Sequence, residues 1–216
     1  MKKLAARLQK HIDLLLERYP VLVVCKQDII DAYLILEECY ENGGKLLVAG
    51  NGGSAADSEH IAGELMKRFK IQRPVSKEYA EKLIEIDSER EPGLARNLEQ
   101  SLMANPLVAH EALTTAYIND VDGLGVFAQQ LIGFGKEGDV FLGISTSGKS
   151  KNVMNATVVA RSSGLKVIWL TGATGGQLAE VSNVAIKVPE TETYMIQELH
   201  LPVYHCLCLI HEDRFF

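Results

Sequence analysis

Apolar positions Leu4, Leu8, Ile12, Leu15 and Leu16 recur at about the helical period, and a second stripe runs through Ile29, Tyr33, Leu36 and Tyr40. The spacing predicts two amphipathic helices within residues 1–42. From Gly44 onward the pattern changes to short, wholly apolar runs that stop at glycine-rich turns and give way to helical spacing. KLLVAG (45–50) ends at NGGS, after which Ile61, Leu65 and Phe69 share a side. DVFLGI (139–144) ends at STSGKS and leads into a helix from about Asn152 to Ser162. KVIWLTG (166–172) precedes a short helix and the strand VAIKV (184–188), and a last helix starts near Tyr194. Strands that are apolar on both sides and alternate with helices predict a parallel sheet covered on both faces. Residues 71–106 are charged and punctuated by Pro74, Pro92 and Pro106, and read as a helical excursion from the sheet.

Composition narrows the class. With 216 residues, 47% of them hydrophobic and 23% charged, the chain suits one globular domain spanning 1–216. A net charge of −6 argues against a nucleic-acid surface, which needs a basic face to displace counterions. The start MKKLAARLQK carries charges every few residues, without the apolar core of a leader, and no run is long enough to span a bilayer. These features predict a cytoplasmic protein with no membrane partner. Cys25, Cys39, Cys206 and Cys208 form no C-x-x-C pair and read as buried thiols, and Trp169 as core. The two N-terminal helices also suit subunit packing.

Gly143, Gly148, Lys149 and Ser150 satisfy the G-x-x-x-x-G-K-[ST] spacing of a nucleotide-binding P-loop. The context argues against that function. Three hydroxyl residues, Ser145, Thr146 and Ser147, fill the turn, and neither LLVAG nor VIWLTG ends in the aspartate that would hold a magnesium shell. Hydroxyls between a strand end and a helix start, where unpaired N–H groups favour an anion, suit a single phosphoryl group. Asn51 and Ser54 in GNGGS stand at a second such junction. In open parallel sheets, ligands collect at such carboxyl ends. His60 and Glu64, four residues apart, meet on one helical face, while Gln197 and His205, eight apart, lie two turns from one another on the last helix.

GNGGSAADSEHIAGEL, INDVDG, GISTSGKSKNV, LTGATGG and TYMIQELHLPVYH resemble, in that order, the motifs of a SIS (sugar isomerase) domain of the phosphoheptose isomerase type. The resemblance covers nearly all of the chain outside 71–106. It implies a flavodoxin-like α/β fold, assembled as a homotetramer with active sites between subunits. The implied reaction is aldose–ketose isomerisation of sedoheptulose 7-phosphate to a manno-heptose 7-phosphate, with Glu64 and His205 as the proton-transfer pair. His60, Glu64, Gln197 and His205 would together hold a zinc ion. Ser54, Ser145, Ser147 and Ser150 would hold the phosphate, and Asn51, Asp120, Thr146 and Gln197 would contact the sugar. Gly52, Gly53 and Asn119 belong to the same binding turns. Asp120 has an alternative reading as a helix N-cap before the following apolar stretch, and His200 as a supporting or hydrogen-bonded residue. The chain departs from the pattern at Lys149, at Pro202 between Gln197 and His205, and in the length of the 71–106 excursion. Two other activities suit the same fold: a non-catalytic tetramer that binds a replication initiator, and a phosphosugar sensor.

Overall fold

The computed structural model describes residues 4–177 and 179–216. Helices α1 (Ala6–Arg18) and α2 (Lys26–Glu41), joined by a 3-10 segment over Pro20–Cys25, form the predicted N-terminal pair. The remaining elements are β1 (Leu46–Ala49), α3 (Gly53–Met66), α4 (Lys77–Ile86), α5 (Glu91–Asn97), β2 (Ala104–Pro106), α6 (Glu111–Asp120) and α7 (Val126–Phe134), followed by β3 (Val140–Ile144), α8 (Lys151–Ser162), β4 (Lys166–Thr171), β5 (Val184–Lys187) and α9 (Thr193–Phe215). The five strands pair in parallel in the order β2-β1-β3-β4-β5, the flavodoxin-like order. The chain therefore reverses its direction of winding between β1 and β3. A crevice opens at such a point, and both serine-bearing turns border it.

Alternation along the strands divides the core into two layers. Leu46 and Val48 of β1, with Leu142, Ile168 and Ile186 of the neighbouring strands, pack against α1, α2, α3 and α9. Leu47, Phe141, Val167 and Trp169 point to the opposite face and meet α7 and α8. Trp169 is fully buried, and the absence of a side chain at Gly143 makes room for it: a methyl group there would come within 2.9 Å of the indole. All four cysteines are free and buried. Among the described residues, no helix is long and apolar enough to cross a membrane.

Two expectations need correction. The 71–106 excursion is only partly peripheral, because its last residues, Ala104–Pro106, form the edge strand β2. Three residues that include a proline carry no strand pattern, and proline is tolerated there because an edge strand has one side unpaired. The excursion proper is a helical hairpin. Ser76 caps α4 by accepting from Tyr79 N, α4 packs on α5, and neither helix buries a residue. Its base is tied by Gln100, which donates from N to Arg73 O at 2.7 Å and from Nε2 to Pro74 O at 2.8 Å. The second correction concerns Asp120, which is the last residue of α6 and not an N-cap; Asp122 is the residue that accepts from Leu124 N at the next turn.

Two histidines of α9 lie inside this core. His211 donates from Nδ1 to Leu207 O at 2.7 Å, and burial pushes its pKa down to about 4. Burial does the same to His200, again to about 4. An unfolded imidazole titrates near ~6.5, so below that pH the unfolded chain binds protons that the folded chain refuses. The stability these groups contribute is complete above the unfolded pKa and is lost as pH falls towards the folded one. Calorimetric unfolding in buffers of different ionisation enthalpy should show net proton uptake at about pH 5.5 and almost none at about pH 8. Equal uptake at both would show that these histidines are not held neutral.

Candidate active site

The two hydroxyl-rich turns are built by close backbone approach. In the turn after β3, Gly148 N donates to Ser145 O at 3.1 Å and Gly148 adopts φ +62°, a left-handed conformation that suits glycine. Its α-carbon lies against Gly175 and Gly176, where a methyl group would come within 2.3 Å of Gly175 O. The LTGATGG turn after β4 thus packs directly on the STSG turn, further linked by Gly172 N donating to Thr146 O at 3.1 Å. Ser145 and Ser150 share a hydroxyl hydrogen bond of 2.9 Å at the start of α8, and Lys149 N donates to Ser147 Oγ at 3.3 Å. Thr146, Ser147 and Lys149 line a cavity of about 140 Å³ together with Thr193 and Ile196 at the beginning of α9. The lysine that completes the P-loop pattern is an exposed residue beside this cavity.

The turn after β1 lies across the crevice. Asn51 and Asn152 exchange two amide hydrogen bonds of 2.9 Å, joining this turn to the first turn of α8. Gly53 opens α3, and a side chain there would strike Gln197 Nε2 at 2.5 Å, so this glycine lets α9 lay Gln197 against the helix start. Gly52 is exposed, whereas Ser54 is buried at 2% exposure. Asn119 and Asp120 are exposed at the end of α6, where Asn119 Nδ2 donates to Asp120 Oδ1 at 2.8 Å.

About two turns further along α3, the predicted acid–base residues come together. His60 Nε2 lies 3.3 Å from Glu64 Oε1, and the His60 and His205 rings meet edge to face with centroids 5.0 Å apart. Phe69 covers His205 from another side at 5.2 Å. Pro202 does not break α9, which runs from Thr193 through Phe215, so His205 is brought to α3 on the same helix that carries Gln197. His205 Nε2 is buried without a hydrogen-bond partner. Burial first, and then the charge of nearby His60, lowers the His205 pKa from the ordinary imidazole value. His205 also lines a groove of about 290 Å³ with Arg18 of α1 and Pro202. Ser147 and His205 thus line different cavities, separated along α9 by roughly 13 Å at 1.5 Å per residue from Ile196.

The donor types here suit zinc: two imidazoles, a carboxylate and the weaker amide of Gln197. The partnerless His205 nitrogen is consistent with such a ligand. In the single chain, among the described residues, no group of three or more His, Cys, Asp and Glu side chains is close enough to hold a metal ion.

The SIS domain family matches residues 21–108 and 102–172. A phosphoheptose isomerase of Aneurinibacillus thermoaerophilus is 40% identical over 179 residues, which are 83% of this chain and 77% of that one. The chain belongs to the phosphoheptose isomerase family of SIS-domain proteins. Phosphoheptose isomerase 2 of Campylobacter jejuni is 39% identical over 87% of this chain and 81% of its own length. The solved phosphoheptose isomerase of Neisseria gonorrhoeae superposes with a TM-score of 0.70 at 32% identity, covering 96% of each chain. That of Francisella tularensis gives the same TM-score at 33% identity, over 85% of this chain and 84% of the other.

Within this phosphoheptose isomerase family framework, three features of the present chain were not visible as site residues in its sequence. Tyr204 meets His60 Nδ1 and donates to Asp57, and Arg73 donates to the carbonyls of Glu64 and Leu65. Asp57, three residues before His60 and so on its helical face, is the one with a readable signal.

Proposed function

We propose that this protein is an aldose–ketose isomerase that converts sedoheptulose 7-phosphate into D-glycero-D-manno-heptose 7-phosphate, for the biosynthesis of nucleotide-activated heptose. The observation that carries the reading is the meeting of Glu64 with His60 and His205, from two helices, within a fold and family whose named relatives are phosphoheptose isomerases. A phosphosugar sensor or a docking scaffold needs the serine turns or an outer surface, but has no chemical use for a carboxylate and two imidazoles brought together. That disfavours both alternatives.

Isomerisation moves a proton from C1 to C2 and a second one between the two oxygens. Glu64 would take the C1 proton, the electron pair forming the C1–C2 double bond of an enediolate while the C2 carbonyl becomes the oxyanion. His205, held neutral by its surroundings, would donate to that oxygen and carry the hydroxyl proton from O1 to O2. Collapse of the O1 electron pair to the aldehyde then draws the proton on Glu64 back to C2, which restores the carboxylate. Ser145, Ser147, Ser150 and Thr146, with Ser54 once the turn opens, would bind the phosphate, whose fixed position aligns the reacting carbons. Asn51, Asp120 and Gln197 would hold sugar hydroxyls, with Asn119 and the backbone of Gly52 and Gly53 beside them. His60, Glu64, Gln197 and His205 would hold one zinc ion, which when bound polarises a carbonyl as a Lewis acid.

The same reading makes the protein a cytoplasmic homotetramer. A charged phosphosugar does not cross a bilayer unaided, and the exposed side chains of Val21, Val23 and Val24 beside α1 suit a subunit contact. Completion of each site by a neighbouring subunit would join the two cavities that one chain keeps apart. Incubation of the purified protein with sedoheptulose 7-phosphate, followed by NMR, should show the aldose signal growing, and prior treatment with a strong chelator should slow it at least tenfold, as loss of a Lewis acid requires. Light scattering on the same sample should give four times the mass of the chain. No turnover with added zinc would overturn the isomerase reading, and full turnover after chelation would remove the metal from it.

A further inference from the structure

Tyr204 is a residue of α9 that the reaction outlined above does not use. It is 2% exposed, and its hydroxyl sits between two side chains of α3. On one side it donates to Asp57 Oδ1 at 3.2 Å; on the other it lies 3.0 Å from His60 Nδ1. A phenol has a single proton to give. With that proton committed to the carboxylate, the phenol oxygen can only accept from His60, so the imidazole must carry its own proton on Nδ1. His60 Nε2 is then a bare lone pair, and it faces Glu64 Oε1 at 3.3 Å. Two acceptors at that distance repel unless a proton or a cation lies between them. The sequence of contacts runs from Asp57 through Tyr204 and His60 to Glu64, and each link fixes the polarity of the next.

We propose that Tyr204 is a positioning residue for the reacting end of the site: by donating to Asp57 it locks His60 as the Nδ1–H tautomer and aims the Nε2 lone pair at Glu64. Removal of the phenol oxygen frees the imidazole to place its proton on Nε2, where it would donate to the Glu64 carboxylate and occupy the lone pair that Glu64 needs to accept a substrate proton. The position is also the one in which His60 can share a cation with Glu64. Supporting partners of this kind typically change metal affinity or activity about 10–100-fold. The argument rests on the reading of Glu64 as the proton-accepting group, yet the tautomer can be observed without any turnover.

The test is histidine 15N NMR on the full-length, chelator-treated protein, with His60 assigned by a His60→Gln variant. The expected wild-type signature is a protonated Nδ1, with Nε2 either bare or sharing a proton with Glu64. Tyr204→Phe, which keeps the ring and its packing, should move the His60 signals towards the Nε2–H pattern, leave the other histidine signals in place, and lower kcat about 10–100-fold with KM changed less than about threefold. Competition with a chromophoric chelator should show zinc bound at least about tenfold more weakly in Tyr204→Phe. Asp57→Leu, which removes the acceptor, should release the phenol proton to His60 Nδ1 and produce the same Nε2–H pattern by a second route. A wild-type His60 that is protonated on Nε2 and not on Nδ1, or no change in either variant, overturns the proposal even if the enzyme is active. A shifted tautomer with unaltered zinc binding and kinetics also overturns it, since His60 would then be positioned for nothing. Turnover that survives Glu64→Gln, with the tautomer as stated, instead overturns the assignment of Glu64.

Discussion

Replacement Glu64→Gln is expected to lower kcat for sedoheptulose 7-phosphate by about 10²–10⁴-fold, the usual range for loss of a general base. The amide has the shape of the carboxylate but cannot accept a carbon-bound proton. The fold should be unaffected. Glu64 is tied to its surroundings through its backbone carbonyl, which accepts from Arg73 Nη2 at 3.2 Å and is untouched by the substitution. The side chain's other partner is Lys67 at 3.4 Å, and that lysine is 62% exposed, so the contact contributes little to stability. The serine turns are remote along α3 and α8, and affinity for the phosphosugar should stay within about threefold of the wild type, as expected when only a transition-state interaction is lost. Two measurements check this: aldose formation by NMR, and exchange of the C1 proton into D2O. Exchange isolates the proton-removal step, so both rates should fall together. Turnover at the wild-type rate would remove Glu64 from the chemistry.

Why those residues could be found in the chain, and others could not, follows from how each is encoded. His60 and Glu64 are four apart on one helix, so local geometry places them together before any tertiary contact is known. The crevice at β1 and β3 was readable because apolar runs that stop at Gly-Asn-Gly-Gly and Ser-Thr-Ser-Gly mark both the strand ends and the helix starts. The edge strand β2 was not readable: Ala-Asn-Pro has no alternation and no apolar run, and it is a strand only because β1 offers a partner, with Leu46 opposite Ala104. Nor could the sequence separate Asp120 from Asp122 as the cap, since INDVDG contains two aspartates at capping distance from the same apolar stretch, and Asp122 takes that role. The P-loop match shows the reverse error, a local pattern satisfied by a turn whose glycine serves contact with Gly175 and Gly176. Tyr204 and Arg73 become partners of the α3 residues only when α9 and the segment after α3 fold back. Nothing in their spacing from His60 or Glu64 announces it.

That folding back leads to the largest expected loss of stability. Arg73 is fully buried, and so is Glu212 of α9, at 1% exposure, with Arg73 Nη2 2.8 Å from Glu212 Oε1. The guanidinium also donates from Nη1 to Leu65 O at 2.8 Å, which satisfies carbonyls that the end of α3 leaves open, and it lies 4.6 Å from the centre of the Phe216 ring. Glu212 in turn accepts from Phe69 N and Lys70 N, each at 2.8 Å. Burial alone would raise the Glu212 pKa; the N–H of Phe69 and the Arg73 guanidinium outweigh it and hold the carboxylate below its ordinary value. Arg73→Met removes the guanidinium that pairs with Glu212 and leaves a buried carboxylate held by backbone N–H donors alone. Breaking a buried pair from one side costs about 3–5 kcal/mol, which is a large share of the roughly 5–15 kcal/mol that holds a domain together. The melting temperature should therefore fall by roughly 6–20 °C. The reciprocal change Glu212→Gln keeps one acceptor oxygen but turns an NH2 donor towards the N–H of Phe69 or Lys70 and leaves the buried guanidinium without its counter-charge, so it should cost a similar amount. In the double variant, the loss should be smaller than the sum of the two single losses, since neither charge is then left without its partner. Thermal unfolding of the three variants decides it: additive losses would mean that Arg73 and Glu212 are not coupled, and that the end of α3 is held near His205 by packing alone.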